Sequence, residues 1–279
     1  MPEPSPVRVT FWGTRGSVAV GGAGTARHGG ATPCVAIEAG SRLILDAGTG
    51  LRALGRAMPP GSTAGGHTIL LSHLHWDHIA GLPFFPPLYD PAATVRILGP
   101  DQPTATVGGV VERLLDPAVW PLPVRARLEA AGVSEGAFQV AGFAIGAAGL
   151  AHPGRTLGYR IQAAAGPIVS YVTDNEVAAM HPAQRRELVQ LVAGSDVLIH
   201  DATWPDALLP DRAGWGHSSA GEAVALGIEA GCRTVVLFHH DPDAGDDALD
   251  RLLAGAREQA DRQGGPDVIA ASDGLCLEI

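Results

Sequence analysis

Three cysteines in 279 residues are few. Cys34, Cys232 and Cys276 lie far apart and are odd in number, so they form neither a zinc-ligand spacing nor a redox pair. They read as buried thiols in a reducing compartment, which argues against a disulfide-stapled fold. Basic side chains are also scarce: 19 stand against 29 acidic ones, a net charge of −10. An acidic chain gains nothing from counterion release on DNA or RNA, which weighs against a nucleic-acid partner. No apolar run is long enough to span a membrane. The opening residues, Met1-Pro2-Glu3-Pro4-Ser5-Pro6, lack a charged head followed by an apolar core, so no signal peptide is expected. These absences point to a cytoplasmic protein with no membrane partner.

Apolar residues make up 46% of the chain, enough for a large core. Glycine (37) and proline (22) are below the level of a disordered chain and imply many turns. Nothing marks a linker or a repeat, so residues 1–279 are expected to form one layered α/β domain. Strands are expected at Val7 to Trp12, in a hairpin of Cys34 to Glu38 and Arg42 to Asp46, and at Thr68 to Ser72 and Thr94 to Leu98. Further strands are expected at Phe143 to Leu150, Gly158 to Ile161, Pro167 to Thr173, Val197 to His200, Thr234 to Phe238 and Leu275 to Ile279. Helical spacing covers Leu51 to Met58, Ala105 to Leu115, Gln184 to Val192 and Asp246 to Gln263. Ser219-x-x-Glu222 is a capping box, and Gly231 stops the helix it opens. Asp116 to Gln139 reads as mixed, with a rigid insert at Trp120-Pro121-Leu122-Pro123.

The densest chemistry lies in His73-Leu74-His75-Trp76-Asp77-His78. Extended residues two apart project to one side, so His73 and His75 can share an ion. A helical turn after them would swing Asp77 and His78 toward a neighbouring point. Neutral imidazoles and carboxylates suit zinc, with manganese or iron as alternatives. Other metal-capable residues follow apolar strands: Asp174 after Thr173, Asp201 after His200, and His239 and His240 after Phe238. His152 sits in a loop between strands. We assign His73, His75 and His152 to one ion, Asp77, His78 and His239 to a second, and Asp174 to the space between them. His240 competes with His239, because strand alternation turns only one of the pair to the site. Two such cations can activate a hydroxide and polarise a substrate oxygen.

These motifs resemble the metallo-β-lactamase-fold hydrolases. Asp46-Ala47-Gly48-Thr49-Gly50, the His-x-His-x-Asp-His run, His152, Asp174 and His239 come in that family's order over nearly the whole chain. The resemblance implies a four-layer αββα sandwich with two divalent ions, usually zinc, at one edge. Phe11-Trp12-Gly13-Thr14-Arg15-Gly16-Ser17 and Val236-Leu237-Phe238-His239-His240-Asp241-Pro242 resemble a branch labelled cyclic-nucleotide phosphodiesterase-like. His200-Asp201-Ala202-Thr203 and His217-Ser218-Ser219-Ala220 resemble the tRNA 3′-processing endonucleases. That likeness implies that Asp201 and His217 form a relay to the leaving group, and that Asp77 is a ligand and candidate base. The chain departs from the pattern at Ala31, where asparagine is expected. The stretch from Asp174 to Asp201 is also too short for a tRNA-grasping arm.

Arg15, just past a strand, is a candidate fork for a substrate phosphate, and His217, near a helix start, is a candidate phosphate contact. Asp46 reads as orienting a metal-binding histidine rather than binding metal. Phe84, Phe85, Trp120 and Trp215 are candidate pocket walls. The expected function is a di-metal phosphodiesterase acting on a small phosphodiester, a cyclic nucleotide among the candidates, by metal-activated hydroxide. A lactone or thioester hydrolase is the second reading, and a non-catalytic metal-binding sensor or scaffold the third. A homodimer is a candidate assembly.

Overall fold

Alternating burial marks the strands Arg8–Gly13 and Phe143–Gly149, and continuous apolar runs build Cys34–Glu38, Arg42–Leu45 and Thr234–Phe238. In the computed structural model, which describes residues 6–164 and 166–279, the strands form two seven-stranded sheets. The first sheet begins with β1 (Arg8–Gly13), β2 (Cys34–Glu38), β3 (Arg42–Leu45), β4 (Gly65–Leu70), β5 (Ala93–Gly99) and β6 (Arg127–Gly132). The second contains β7 (Gly136–Val140), β8 (Phe143–Gly149), β9 (Leu157–Ala163), β10 (Ile168–Val172), β11 (Val197–Asp201), β12 (Thr234–Phe238) and β13 (Asp267–Ala270). The last strand, β14 (Cys276–Glu278), returns to the first sheet beside β1. Strand order is β14-β1-β2-β3-β4-β5-β6 in one sheet and β13-β12-β11-β10-β9-β8-β7 in the other.

The sheets face each other across one apolar layer. Val9, Phe11, Ile37 and Leu45 of the first meet Tyr171, Ile199, Val236 and Phe238 of the second. The rings of Phe11 and Phe238 lie 6.1 Å apart across this layer. Helices α1 (Gly50–Ala57), α2 (Trp76–Ile79) and α3 (Val107–Leu114) belong to the first half; α1 and α3 cover its outer face through Leu51, Leu54, Val107 and Val111. Helices α4 (Pro182–Val192), α5 (Ala220–Glu229) and α6 (Asp246–Gln263) cover the second through Leu188, Val224 and Ala256. The arrangement is an αββα sandwich. Because β11 and β12 are buried on both faces, they read as unbroken apolar runs rather than alternating ones.

Strands β3 to β6 run parallel, as do β10 to β13. Their C-terminal ends therefore share an edge within each sheet, and the loops leaving those ends gather the polar residues. Three strands were not expected from the sequence. β6 (Arg127–Gly132) and β7 (Gly136–Val140) fall in the stretch read as mixed, and β13 (Asp267–Ala270) in a segment left without structure. β6 and β7 are edge strands with half-exposed faces, so apolar alternation is weak there. Cys34 and Cys232 are buried as expected, but Cys276 is exposed because it lies on the edge strand β14. The residues read for a signal peptide fall, up to Ser5, outside the described residues. Among the described residues no helix is long and apolar enough to cross a membrane.

Candidate metal centre

After β4 the chain bends at Ser72 and reaches His75 in extended backbone, and the single turn of α2 follows. This sequence of conformations separates the motif into two clusters. The ring nitrogens of His73, His75 and His152 lie within 4.8 Å of one another, as do the ligand atoms of Asp77, His78, Asp174 and His239. Asp174 faces both: its Oδ1 is 3.8 Å from His73 Nε2 and 3.7 Å from His152 Nε2, and its Oδ2 is 3.2 Å from His78 Nε2. His239 Nε2 lies 3.3 Å from both Asp174 Oδ1 and Asp77 Oδ2. All seven residues assigned to metal in the sequence thus converge on one place.

The opposite ring nitrogens are held from behind. His78 Nδ1 donates to Asp46 Oδ2 at 2.8 Å, and His152 Nδ1 donates to the Gly216 carbonyl at 2.9 Å. His239 Nδ1 lies 3.1 Å from Thr203 Oγ1, and His73 Nδ1 3.0 Å from Ser72 Oγ. Such contacts fix which nitrogen points into the cage. Asp46 also accepts from the Ser72 amide (2.7 Å), the Ser72 hydroxyl (2.9 Å) and the Tyr171 hydroxyl (2.7 Å), so it orients rather than joins the cage. The Ser17 amide donates to Asp77 Oδ2 at 2.8 Å. Gly16 lets this loop approach, because a Cβ there would run into the His239 ring.

The residues themselves fit a pair of cations. His73 Nε2 is buried and makes no hydrogen bond, while His78 Nε2 faces Asp77 Oδ2 and Asp174 Oδ2, each at 3.2 Å. His152 Nε2 and His75 Nδ1 face each other at 3.1 Å. Buried, unpartnered nitrogens are costly unless something accepts their lone pairs. Burial pushes the pKa values of His73, His75 and His152 down, which favours the neutral imidazole a metal needs. Burial alone would raise Asp77 and Asp174, but the surrounding histidines outweigh it and hold both carboxyls well below the usual range. At His78 burial opposes charge, yet Asp77, Asp174 and Asp46 outweigh it and push the ring up. Three carboxylates around that point make it a place for positive charge, proton or metal alike.

Beside the cage, His217 Nδ1 donates to Asp201 Oδ2 at 2.7 Å. Burial works against a charged ring, but Asp201 prevails and His217 is pushed up to about 9. Its ring stacks on His239 at 4.8 Å between centroids and lies 5.2 Å from that of His152. With Nδ1 engaged, Nε2 is the nitrogen free to meet another group. Asp201 in turn accepts from the Thr203 amide (3.0 Å) and hydroxyl (2.8 Å). A cavity of about 300 Å³ adjoins the cage, lined by His73, His75, Gln102, Thr104, Pro153 and Gly154. A larger one, about 560 Å³, lies at the opposite ends of β11 and β12 around Cys232, Arg233 and Gly265; its lining has no histidine, so size does not mark the chemical site here.

Arg15 does not serve as a substrate fork. It is wholly buried; its Nε donates to the Gly29 carbonyl (2.9 Å) and its Nη1 to those of Asp241 (2.8 Å) and Ala244 (2.6 Å). It ties the glycine-rich loop to the segment after β12, where loop carbonyls need a multiple donor. His240 turns away from the cage, its Nε2 meeting the Ala271 carbonyl at 2.9 Å. Among the candidate walls, Phe85 is buried in the core, and Trp120 packs on Phe84 while donating to the Tyr89 hydroxyl at 2.6 Å. Phe84 and Trp215 are exposed. The supporting roles of Tyr171, Ser72, Thr203 and Ser17 had no sequence signal, since each depends on contacts between distant segments.

The β-lactamase superfamily domain matches residues 41–240 of the chain. An uncharacterised protein of Mycobacterium leprae is 31% identical over 209 residues, which cover 72% of this chain and 67% of that one. Among solved structures, the metallo-β-lactamase fold protein YhfI of Bacillus subtilis aligns with a TM-score of 0.72 at 20% identity, covering 99% of this chain and 100% of its own. A diphosphatase of the PhnP family gives 0.69 at 19% identity, covering 98% of each chain. The short form of human tRNase Z gives 0.68 at 19% identity, covering 97% and 98%. At these identities the three structures attest the fold.

Proposed function

The chain belongs to the β-lactamase superfamily, and from that premise we propose that it is a di-metal phosphodiesterase acting on a small phosphodiester, a cyclic nucleotide among the candidates. The observation that carries this reading is the hydrogen-bonded Asp201–His217 pair set against the cage. His73, His75 and His152 would hold one ion, Asp77, His78 and His239 the other, and Asp174 would lie between. Zinc suits these donors first, with manganese or iron as alternatives. Two divalent ions, when bound there, lower the pKa of water and polarise a phosphoryl oxygen.

The protein's own groups supply the rest. Asp77, fixed by the Ser17 amide, would serve as a ligand and candidate base. Asp201 keeps a proton on His217, whose Nε2 would deliver it to the oxygen that leaves. Such a proton donor is worth roughly 10²–10⁴-fold in rate. A lactone or thioester hydrolase, the second reading, leaves this pair without a clear duty. The neighbours named as a diphosphatase and a tRNase Z also favour phosphate chemistry. The net charge of −10 favours a small substrate over RNA. We further place the protein in the cytoplasm, in keeping with its free thiols.

Purified enzyme loaded with zinc or manganese should hydrolyse bis(p-nitrophenyl) phosphate. Asp77→Ala and Asp174→Ala should each abolish that hydrolysis, and activity surviving both changes would sink the mechanism. His217→Ala should slow phosphodiesters with alkoxide leaving groups by roughly 10²-fold or more. A smaller loss is expected with nitrophenoxide, which leaves without a proton. Lactone hydrolysis that survives His217→Ala, in an enzyme that cleaves no phosphodiester, would favour the second reading.

A further inference from the structure

Trp215 is 55% exposed. A single exposed aromatic is ordinary, but this one is held in place from several sides. The residues flanking it, Gly214 and Gly216, both donate their amides to the Glu176 carboxylate at 2.8 Å. Both glycines adopt left-handed backbone, with φ of 82° and 84°, which side-chain-bearing residues rarely accept. Glu176 is buried and lies two residues beyond Asp174, so the loop is clamped to the cage's own strand end. Behind the indole, the Arg212 guanidinium sits 4.8 Å from the Trp215 ring centre and 5.2 Å from that of Trp204. The two indoles meet edge to face at 6.0 Å. Arg212 Nε and Trp204 Nε1 are buried and make no hydrogen bond. Forgoing those bonds costs free energy, so the stack is not what hydrogen bonding alone would select.

The position is as telling as the support. The Gly216 carbonyl, next to Trp215, accepts from His152 Nδ1, and the following residue is His217. The Trp204 ring lies 6.3 Å from the His217 ring. An exposed indole therefore stands one residue from the carbonyl that holds His152 and two residues from His217, the group that would protonate a leaving oxygen. Stacking asks of a ligand only that it present a flat aromatic face, and every nucleobase does so.

We propose that Trp215, clamped by Glu176 and braced by Arg212 and Trp204, is a stacking platform for the base of a nucleotide whose phosphodiester lies at the cage. The platform rests on the phosphodiesterase reading and narrows its substrate to nucleotide esters. Trp215 binds the base, and Glu176 is a positioning residue that acts through it.

The test uses full-length, metal-loaded enzyme turning over bis(p-nitrophenyl) phosphate, with AMP and methyl phosphate as competing inhibitors. The readout is the ratio of their inhibition constants. Wild type should prefer AMP. Trp215→Ala should reduce that preference by about 5- to 150-fold, and Trp215→Phe should restore most of it. A wild type without the preference, or a ratio unchanged in Trp215→Ala, overturns the platform and leaves the phosphodiesterase reading standing. A parallel loss for both inhibitors also overturns it, because Trp215 would then only hold the His217 loop. If wild type hydrolyses no phosphodiester, the functional reading fails, and the platform is judged by titrating AMP against indole fluorescence. Quenching present in wild type and absent from Trp215→Phe supports it; equal quenching, or none, overturns it.

Discussion

Asp46, Asp174 and His239 hold left-handed backbone, with φ of 57°, 53° and 57°. Non-glycine residues rarely adopt it, and strained backbone of this kind costs about 1–3 kcal/mol per residue. Each stands just past an apolar strand: Asp174 and His239 meet within the cage, and Asp46 holds His78 from behind. The sequence shows these residues at strand ends but not their φ. It also left His239 and His240 in competition, which the packing of His240 against Ala271 resolves. Cysteine reactivity is set at the same scale. Burial holds the Cys34 thiol well above its ordinary pKa and pushes Cys232 up to about 11, so both stay protonated, the unreactive form, until strongly alkaline pH. Native protein treated with iodoacetamide at pH 8 should therefore gain one label, on Cys276, and three after denaturation. Mass spectrometry finding native label on Cys34 or Cys232 would contradict this.

Among the elements, α5 was legible almost residue for residue, because its start signal is local. Ser219 Oγ accepts from the Glu222 amide at 3.1 Å, and the Glu222 carboxylate accepts from the Ser219 amide at 3.0 Å. The helix begins directly after His217 and Ser218, so its cap also anchors the proposed proton donor. Ser219→Ala should cost about 0.5–2 kcal/mol, read as a fall of a few degrees in Tm. A melting curve that does not move would mean the box adds nothing to the fold. β12 (Thr234–Phe238) and α6 (Asp246–Gln263) were equally plain, one as an apolar run and the other as a long periodic segment. β6 and β7 were not, since edge strands take their stability from a neighbour the sequence does not name.

At the scale of the whole molecule, the cage joins two half-sandwiches. His73, His75, Asp77 and His78 come from the first sheet's loops, while His152, Asp174 and His239 come from the second's. Ions bound between them would favour the folded state by mass action, by about 2.7 kcal/mol at one hundred times Kd. Chelation should lower Tm, and adding zinc or manganese back should restore it. A Tm indifferent to chelator, with metal content shown to fall, would place the ions elsewhere. The sequence by itself determined the candidate ligand types, the strand ends that carry them and the layered architecture, because spacing and apolar periodicity act over a few residues. The tertiary structure alone decided that Arg15 is a buried clamp, that His239 rather than His240 faces the cage, and that Trp215 is exposed between two glycines tied to Glu176. Those outcomes depend on which distant segments meet, and a contact across two hundred residues leaves no local trace in the chain.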